Sequence, residues 1–256
     1  MCHHAAGSSQ WRMPSAFPAS HRLHTATFSE MSPHKPNASK SQTPETSRWL
    51  PPLPILFNEE AHRYQWQPTG QWLNHSVTQV CKGTKDAWAM KRIMETKHIW
   101  EPRGKAVHLA LENFLTTGDA GEYPEEYKKW VEPLLEHSVW NTYEAIACEY
   151  RLADLERNIA GSFDCLLRRK DDHQQLVLVD LKTQGKADAS PYDVSPQLGG
   201  YLGMLSLHWP KLYIQKAGVL WSRPGSTTLQ KVDVDEAVIE WQGARDAFLM
   251  LNQPEF

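Results

Sequence analysis

The sequence lacks the signatures of several protein classes. It has no run of about 18 apolar residues, which a membrane-spanning helix would need. Its four cysteines include no CxxC pair, which argues against a zinc site or a disulfide framework and is typical of a reducing compartment. It contains no GxxxxGKS or GxxxxGKT motif either, so we expect neither a bound nucleotide nor a helicase motor in this chain.

The first 48 residues also lack hydrophobic periodicity. Residues 1–48 are rich in Ser, Thr, Pro, Ala and His, which predicts a disordered N-terminal tail. Two interpretations of this tail stay open. It is either an extension without a function or an organellar transit peptide, since such peptides are poor in acids and contain Arg and Ser. The first is favoured because no amphipathic, Arg-rich helix stands out.

An excess of positive charge is absent from the rest of the chain. Without the five basic and two acidic residues of the tail, residues 49–256 carry 22 Lys or Arg and 28 Asp or Glu, a net charge of −6. A domain that binds nucleic acids through its overall charge would be basic. Contacts to phosphate are therefore expected only from a local patch, or from metal ions held by carboxylates.

Periodicity and turn residues predict the elements of this part. The expected strands are 61–66 and 71–80, a hairpin turning at Pro68–Gly70, and then 144–154, 159–169, 174–183, 213–222 and 227–234. The expected helices are 84–98 with Thr84 as cap, Pro102 to Gly118, 124–138 with a kink or break at Pro133, a helix within 191–209, and 235–251 with Asp235 as cap. This order predicts an α/β fold, a central mixed β-sheet flanked by helices.

The strand predicted over 174–183 contains two opposite charges, in VLVDLKTQG. Asp180 and Lys182 lie two residues apart, so their side chains share one face of the strand. Apolar residues flank them on both faces, which indicates a strand inside a sheet, where a lysine is costly without a partner. The alternative is an exposed edge strand with a surface ion pair, which contributes only about 0–1 kcal/mol. This stretch alone is compatible with both.

The preceding strand places another acid in an apolar setting, in IAGSFDCLL. If the two strands turn at Asp171–Asp172, Asp164 lies opposite Asp180 in an antiparallel pair, within about 5 Å. Two like charges in these positions repel, and a divalent cation between them would remove the repulsion. A few oxygen ligands completed by water are typical of Mg²⁺. The alternative is that one acid is protonated or turned towards solvent.

Four elements together resemble the PD-(D/E)XK nuclease superfamily, and its RecB-type exonuclease branch in particular. They are Asp164, Asp180-Leu181-Lys182, Gln197-Leu198-Gly199-Gly200-Tyr201 and, upstream, Gly104-Lys105-Ala106-Val107-His108. The predicted hairpin and Ser76-Val77-Thr78 resemble the N-terminal segment of small single-domain members, such as phage exonucleases and the mitochondrial genome-maintenance exonuclease. The similarity covers about residues 58–205, and its elements follow in the order of that family.

The resemblance implies a restriction-endonuclease-like core and a role for each matching residue. Asp164, Asp180 and the backbone carbonyl of Leu181 would ligate the metal, and His108 would approach it from its helix. Lys182 would orient or deprotonate the attacking water, or neutralise developing charge. Gln197 and Tyr201, one helical turn apart, would help to hold the DNA strand and the geometry of the site. Without the resemblance, His108 would be an ordinary core histidine, and Gln197 and Tyr201 a pair on a helix surface.

Further residues are candidates for the same site. Glu149 precedes Asp164 by one strand and Glu112 follows His108 by one helical turn, so both are candidate metal ligands. The candidates for phosphate contacts, each of which alone would be read as a solvated surface charge, are Arg151, Arg168, Arg169 and Lys186. Most of the 11 tryptophans should pack in the core, and the candidates for stacking on bases are Trp88 and Trp100.

Residues 49–256 are therefore expected to form a DNA exonuclease that needs Mg²⁺ or Mn²⁺ and acts on single-stranded or resected ends in replication, repair or recombination. Bound metal ions would offset the net negative charge of the domain. The resemblance implies no iron–sulfur cluster, because no cysteine follows Cys165 and the relatives with a cluster have three after the core. The alternatives are an endonuclease on the same fold or a non-catalytic DNA- or partner-binding module. We expect DNA as the partner, with a helicase or replication protein as a second candidate, no membrane, and a cytoplasmic location unless the tail targets an organelle.

Overall fold

The computed structural model describes residues 49–83 and 87–252, which form an α/β fold. The strands are β1 (Ile55–Asn58), β2 (Arg63–Trp66), β3 (Gln71–Leu73), β4 (His75–Ser76), β5 (Tyr143–Asp154), β6 (Ile159–Arg169), β7 (Leu176–Thr183), β8 (Lys216–Arg223) and β9 (Ser226–Val232). The α-helices are α1 (Val77–Gly83), α2 (Ala87–Glu95), α3 (Lys97–Thr117), α4 (Lys128–Leu135), α5 (Val139–Thr142), α6 (Ser195–His208) and α7 (Val234–Leu251). The predicted tail and the predicted cap Thr84 lie outside the described residues. No helix within these ranges is long and apolar enough to cross a membrane.

A mixed sheet of six strands forms the centre of the fold. β7 pairs antiparallel with β6 and parallel with β8, and β9 pairs antiparallel with β8. β5 runs antiparallel along the full length of β6. Helix α6 connects β7 to β8. Two parallel strands need a long crossover connection, which is usually a helix. The predicted central mixed sheet is therefore confirmed.

The sheet forks between β6 and β7. β6 and β7 pair in the predicted register. Their pairs run from Arg168–Leu176 to Cys165–Val179, so the pairing ends one residue before Asp164 and Asp180. Beyond that pair the two strands separate, and the first residues of β6 pair instead with the short parallel strand β4. Backbone groups at a fork lose their ladder partners and must find others. The fork therefore sets both aspartates next to backbone that is free to interact with side chains.

Helices cover both faces of the sheet. Helices α1, α6 and α7 pack on one face, and α3, α4 and α5 pack on the other. Alternate residues of β7 enter the two cores, Leu178 the first and Val177 and Val179 the second. A strand buried on both faces reads as a nearly continuous apolar run. The inner-strand interpretation of VLVDLKTQG is thus confirmed.

A small antiparallel sheet of β1, β2 and β3 lies beside the main one. Ile55 and Leu73 from this sheet pack on Ala153 of β5 and Ala160 of β6. The turn between β2 and β3 ends at Gly70, whose φ of 73° suits glycine. The hairpin is therefore where we predicted it, although β1 was not predicted.

The second strand of that hairpin was predicted to run to residue 80, and this is wrong. Helix α1 begins at Val77, because Ser76 and Gln79 cap it reciprocally. The backbone N–H of Ser76 donates to Oε1 of Gln79 at 2.7 Å, and the N–H of Gln79 donates to the hydroxyl of Ser76 at 3.1 Å. This is a capping box. Its S-x-x-Q pattern is present in the sequence, and the β-branched residues around it concealed it.

Two helix boundaries near Thr96 also differ from the prediction. The helix predicted over 84–98 ends at Glu95, and α3 begins at Lys97 rather than after Pro102. The backbone carbonyl of Thr96 accepts the first hydrogen bonds of the new helix. Pro102 therefore lies inside α3, where its missing N–H leaves the carbonyl of His98 without its helical partner.

Pro133 lies inside α4, which is shorter than the helix predicted over 124–138. A proline cannot donate to the carbonyl four residues earlier, which here belongs to Lys129. That carbonyl accepts the backbone N–H of Gly225 instead, at 2.8 Å. Gly225, with a φ of 81°, forms the turn between β8 and β9. The proline thus ties α4 to one end of the sheet.

The N-terminal cap of α7 is Asp233 and not the predicted Asp235. The carboxylate of Asp233 accepts the backbone N–H groups of Asp235 and Glu236, each at 3.0 Å. Aspartate is a preferred cap at either position, so the sequence pattern alone does not distinguish the two.

Candidate metal centre

His108 reaches the fork from the middle of α3. Val107 and Leu111 of the same helix are buried in the core, which fixes the rotation of the helix about its axis. Nδ1 of His108 lies 3.1 Å from Oδ1 of Asp164 and 3.5 Å from Oε1 of Glu149. The structure thus brings together a histidine and two acids that are far apart in the sequence.

Asp164 lies on β6 at the fork and is buried. Beyond the last β6–β7 pair, the backbone N–H of Leu181 donates to Oδ2 of Asp164. One oxygen of the carboxylate is therefore held by the neighbouring strand while the other faces His108. The N–H of Leu181 thus orients a predicted ligand, and the ligand role of its carbonyl stays a prediction.

Glu149 has a strained backbone in the middle of β5. Its φ of 45° lies in the left-handed region, which costs a residue with a Cβ about 1–2 kcal/mol. The flanking pairs Cys148–Cys165 and Tyr150–Phe163 set it opposite Asp164. Strain of this kind concentrates at functional sites. Here it accompanies a carboxylate that faces His108.

These three side chains form a group with the composition of a metal site. One ligand atom each from His108, Glu149 and Asp164 lies within 4.8 Å of the others. Two carboxylates this close repel each other unless positive charge lies between them. Glu149, a candidate with less sequence support, belongs to the group, whereas Asp180 does not.

The members of the group shift one another's pKa. Burial alone would lower the pKa of His108, but Asp164 and Glu149 outweigh it and raise that pKa well above its usual value. Burial raises the pKa of Glu149, which His108 offsets only in part. Burial would also raise the pKa of Asp164, but His108, Lys182 and the N–H of Leu181 lower it overall. His108 is therefore favoured as an imidazolium beside the two carboxylates, and it would have to release this proton to ligate a metal.

Asp180 and Lys182 form an ion pair beside this group. Nζ of Lys182 lies 2.6 Å from Oδ2 of Asp180, and this oxygen is buried. Burial raises the pKa of Asp180 to about 6. Burial would lower the pKa of Lys182, but Asp180 and Asp164 raise it overall, so the lysine is an ammonium ion.

Helix α6 brings Gln197 and Tyr201 to the same place. Nε2 of Gln197 donates to the hydroxyl of Tyr201 at 2.8 Å and lies 3.3 Å from Oδ1 of Asp180. The ring of Tyr201 is buried and packs on Phe163, and its burial raises the pKa of the phenol well above the usual value. Tyr201 is therefore a neutral group that holds Gln197, and Gln197 in turn holds Asp180.

A cleft of about 1690 Å³ opens over these residues. Pockets for small molecules usually have about 300–1,000 Å³, so this open cleft is larger than such a pocket. The predicted site residues that line it are His108, Glu149, Leu181, Lys182 and Gln197. The additional candidates that line it are Glu112, Arg151, Lys186 and Trp100.

Three candidates lie elsewhere on the described part of the chain. Arg168 pairs with Glu144 at 2.6 Å, and Arg169 pairs with Asp171. Trp88 is 67% exposed and does not line the cleft. The two arginines fit their alternative interpretation as surface charges.

Tyr192 also lines the cleft, and no sequence argument indicated it. Its side chain is exposed, and its ring meets Trp221 edge-on, with 4.9 Å between the centroids. The sequence does offer one signal for Tyr192, which is its position between the D-x-K strand and the helix of Gln197 and Tyr201. Arg103 was missed as well, although it directly precedes the Gly104–His108 element.

Comparisons with known proteins leave the family open. No family model matches the sequence, and no curated protein matches it. Among solved structures, the chain is similar to the crystal structure of SSO0001, with 16% identity and a TM-score of 0.40, over 70% of this chain and 76% of that chain. A similarity at this level supports no inference about function.

Proposed function

We propose that residues 49–256 form a metal-dependent deoxyribonuclease that hydrolyses the phosphodiester bonds of DNA. The observation that carries this proposal is the group of His108, Glu149 and Asp164 within 4.8 Å, next to the Asp180–Lys182 ion pair. The motif resemblance of the sequence supplies the reaction class. The cleft above the group adds support, because its volume exceeds that of a small-molecule pocket.

The donor set fits a divalent cation. His108, Glu149 and Asp164 would hold it, with Asp180 and the carbonyl of Leu181 as the other predicted ligands. Carboxylate oxygens suit Mg²⁺ and Mn²⁺, whereas an imidazole nitrogen suits transition metals. Of the two predicted ions, Mn²⁺ therefore matches the mixed set better. A cation bound there would supply Lewis-acid charge to the phosphate and favour an ionised water as nucleophile.

The side chains of β7 and α6 would serve the substrate. Lys182 carries a fixed positive charge that would neutralise charge developing on the phosphate oxygens, or would orient the attacking water. Gln197 would keep Asp180 in place and contact the strand, whereas Tyr201, predicted for the same role, is buried outside the cleft lining and would only hold Gln197. Hydrolysis then forms a bond from the water oxygen to phosphorus and breaks the bond to the leaving sugar oxygen.

The substrate is proposed to be a single-stranded or resected DNA end. An endonuclease on the same fold is the first alternative, and a non-catalytic module that binds DNA or a partner protein is the second. Digestion of linear and circular single-stranded DNA distinguishes an exonuclease from an endonuclease, because an exonuclease degrades only the linear form. The proposed setting is replication, repair or recombination in the cytoplasm, with a helicase or replication protein as partner, unless the tail directs the protein to an organelle.

Digestion of end-labelled DNA tests the proposal. The protein should cleave with Mn²⁺ or Mg²⁺ and lose this activity in EDTA. Lys182→Met should lower the rate by about 10²–10³-fold, as the loss of an electrostatic stabiliser does. Lys231→Met is the charge-matched control, because Lys231 is exposed on β9 and lies outside the cleft. Equal rates for the two variants would contradict the assignment of Lys182.

A further inference from the structure

Arg103 is a buried cation beside the cleft that the proposed mechanism does not use. It lies on α3, five residues before His108, and only 7% of it is exposed. Its guanidinium stacks on the ring of Trp130, with 5.1 Å from Cζ to the ring centroid. Arginine is rarely buried to this extent unless an anion pairs with it.

No such anion is found among the residues that the structure describes. Nε of Arg103 is buried and makes no hydrogen bond. Burial lowers the pKa of Arg103. Among the residues that the structure describes, the group that raises this pKa is the phenol of Tyr127, which is not a carboxylate. Arg223 is buried equally, but its Nε donates to Gln184 at 2.7 Å and its Nη1 to Thr228 at 3.0 Å. Arg103 therefore differs from a buried arginine with a structural role.

The guanidinium of Arg103 packs directly against the wall of the cleft. Gly185 lines the cleft and is exposed. A Cβ on Gly185 would lie 3.4 Å from Nη1 of Arg103, so a larger residue there would cover the guanidinium. This wall is held in place, since Nε1 of Trp130 donates to the carbonyl of Gln184 at 2.8 Å and the side chain of Gln184 donates to the carbonyl of Ser190 at 2.7 Å.

We propose that Arg103 belongs to a binding site for a phosphate group of the nucleic-acid strand, reached at Gly185 on the cleft wall. A phosphate at Gly185 would supply the negative charge that the guanidinium lacks and acceptors for its two Nη groups, of which Nη1 is the nearer to Gly185. The planar fork of arginine matches phosphate oxygens with two parallel hydrogen bonds. Gly185 follows Lys182 by three residues, so this phosphate would be a neighbour of the one that reacts.

The identity of the ligand as a DNA strand rests on the proposed function, whereas the anion site itself does not. A buried charge without a partner lowers the stability of the free protein. The site therefore predicts a specific trade-off: removal of the charge should stabilise the free protein and weaken binding of a phosphate. An arginine that only packs on Trp130 would show no such trade-off.

Thermal unfolding of the full chain in EDTA tests the anion site. Arg103→Met keeps an unbranched stem on Trp130 and removes the charge. We expect its midpoint to lie roughly 2–4 °C above that of the parent. Inorganic phosphate should raise the midpoint of the parent more than that of Arg103→Met. The exposed Lys231, on β9 outside the cleft, provides the charge-matched control Lys231→Met, which should behave as the parent does.

Binding of a labelled thymidine oligonucleotide in EDTA tests the ligand without cleavage. Arg103→Met should bind about tenfold more weakly than the parent. Its slope of log affinity against log salt should be smaller by about 0.7, the value for one lost phosphate contact on a single strand. Arg103→Lys should recover part of the affinity, and Lys231→Met should retain it. Oligonucleotides with a 5′-phosphate, a 3′-phosphate or neither tell whether Arg103 binds a terminal phosphate or an internal phosphodiester.

The outcomes separate the two proposals. If the parent binds no oligonucleotide but its response to phosphate depends on Arg103, the proposed function fails and the anion site stands. If Arg103→Met has a lower midpoint, binds the oligonucleotide as the parent does and responds equally to phosphate, Arg103 only packs on Trp130 and the inference is wrong. A parent that responds to neither ligand overturns it as well.

Discussion

Among the glycines that the structure describes, Gly199 is the one at which an added methyl group should disturb the fold most. It lies on α6 between Gln197 and Tyr201. A Cβ on Gly199 would lie 1.9 Å from the carbonyl oxygen of Ala237 and 2.9 Å from Cβ of Trp241, both on α7. A backbone carbonyl inside a helix cannot rotate away as a long side chain can. Gly199→Ala must therefore push α6 and α7 apart.

The expected cost follows from this geometry. One extra methylene in a packed core usually costs about 1–3 kcal/mol. Because the clash is with backbone, we expect Gly199→Ala to lower the free energy of unfolding by about 3 kcal/mol. Gly203→Ala, one turn later on α6, is the matched control, since its Cβ would meet only Trp241, at 4.0 Å. Alanine should stabilise that position by about 0.5–1 kcal/mol, so the two variants should differ by roughly 3.5–4 kcal/mol.

Urea unfolding followed by tryptophan fluorescence measures this difference. The displacement of α6 should also move Gln197 away from Asp180, so Gly199→Ala should lose the proposed nuclease activity while Gly203→Ala keeps it. If the two variants unfold within about 1 kcal/mol of each other, the close packing of α6 on α7 described above is wrong.

Two further predictions concern Tyr64 and Glu149. Burial raises the pKa of Tyr64 to about 12, above the value of 10.0 expected in the unfolded chain, so its neutral form contributes stability that is lost as the pH rises from 10 to 12. Between pH 8 and pH 11 the parent should therefore lose about 1.4 kcal/mol more than Tyr64→Phe in urea unfolding, and equal losses would refute the burial of this phenol. At Glu149, the left-handed φ predicts that Glu149→Gly is about 1 kcal/mol more stable than Glu149→Ala in EDTA, because both lose the carboxylate but only alanine keeps the strain. An alanine variant as stable as the glycine variant would contradict the strained conformation.

The strands and their register were largely predictable from the sequence. The bounds of β6 are the predicted ones, and the turn at Asp171–Asp172 sets the register that Cys165–Val179 confirms. This succeeded because the apolar runs are bounded by polar turn residues, and the length of the connection fixes the pairing of the strands it joins. His108, Asp164 and Lys182 were named from the motifs; in the structure His108 and Lys182 line the cleft, and the buried Asp164 contacts His108.

The remaining features depend on tertiary contacts that a local pattern does not report. Val77 and Val80 favour a strand by their side chains, but both are completely buried beneath α6 and α7, and helical spacing is what buries them together. Glu149 enters the ligand group through a backbone angle that no sequence pattern indicates. Asp180 lies outside the group of His108, Glu149 and Asp164. Uninterrupted pairing would set Asp180 opposite Asp164, but β6 and β7 separate one residue earlier.

Crystals soaked in Mn²⁺ test the central claim most directly, because the anomalous scattering of manganese locates the ion without reference to activity. We predict a single strong peak within bonding distance of His108, Glu149 and Asp164, and its loss in Asp164→Ala. A protein that cleaves DNA in Mn²⁺ but shows no peak among these three side chains would contradict the account.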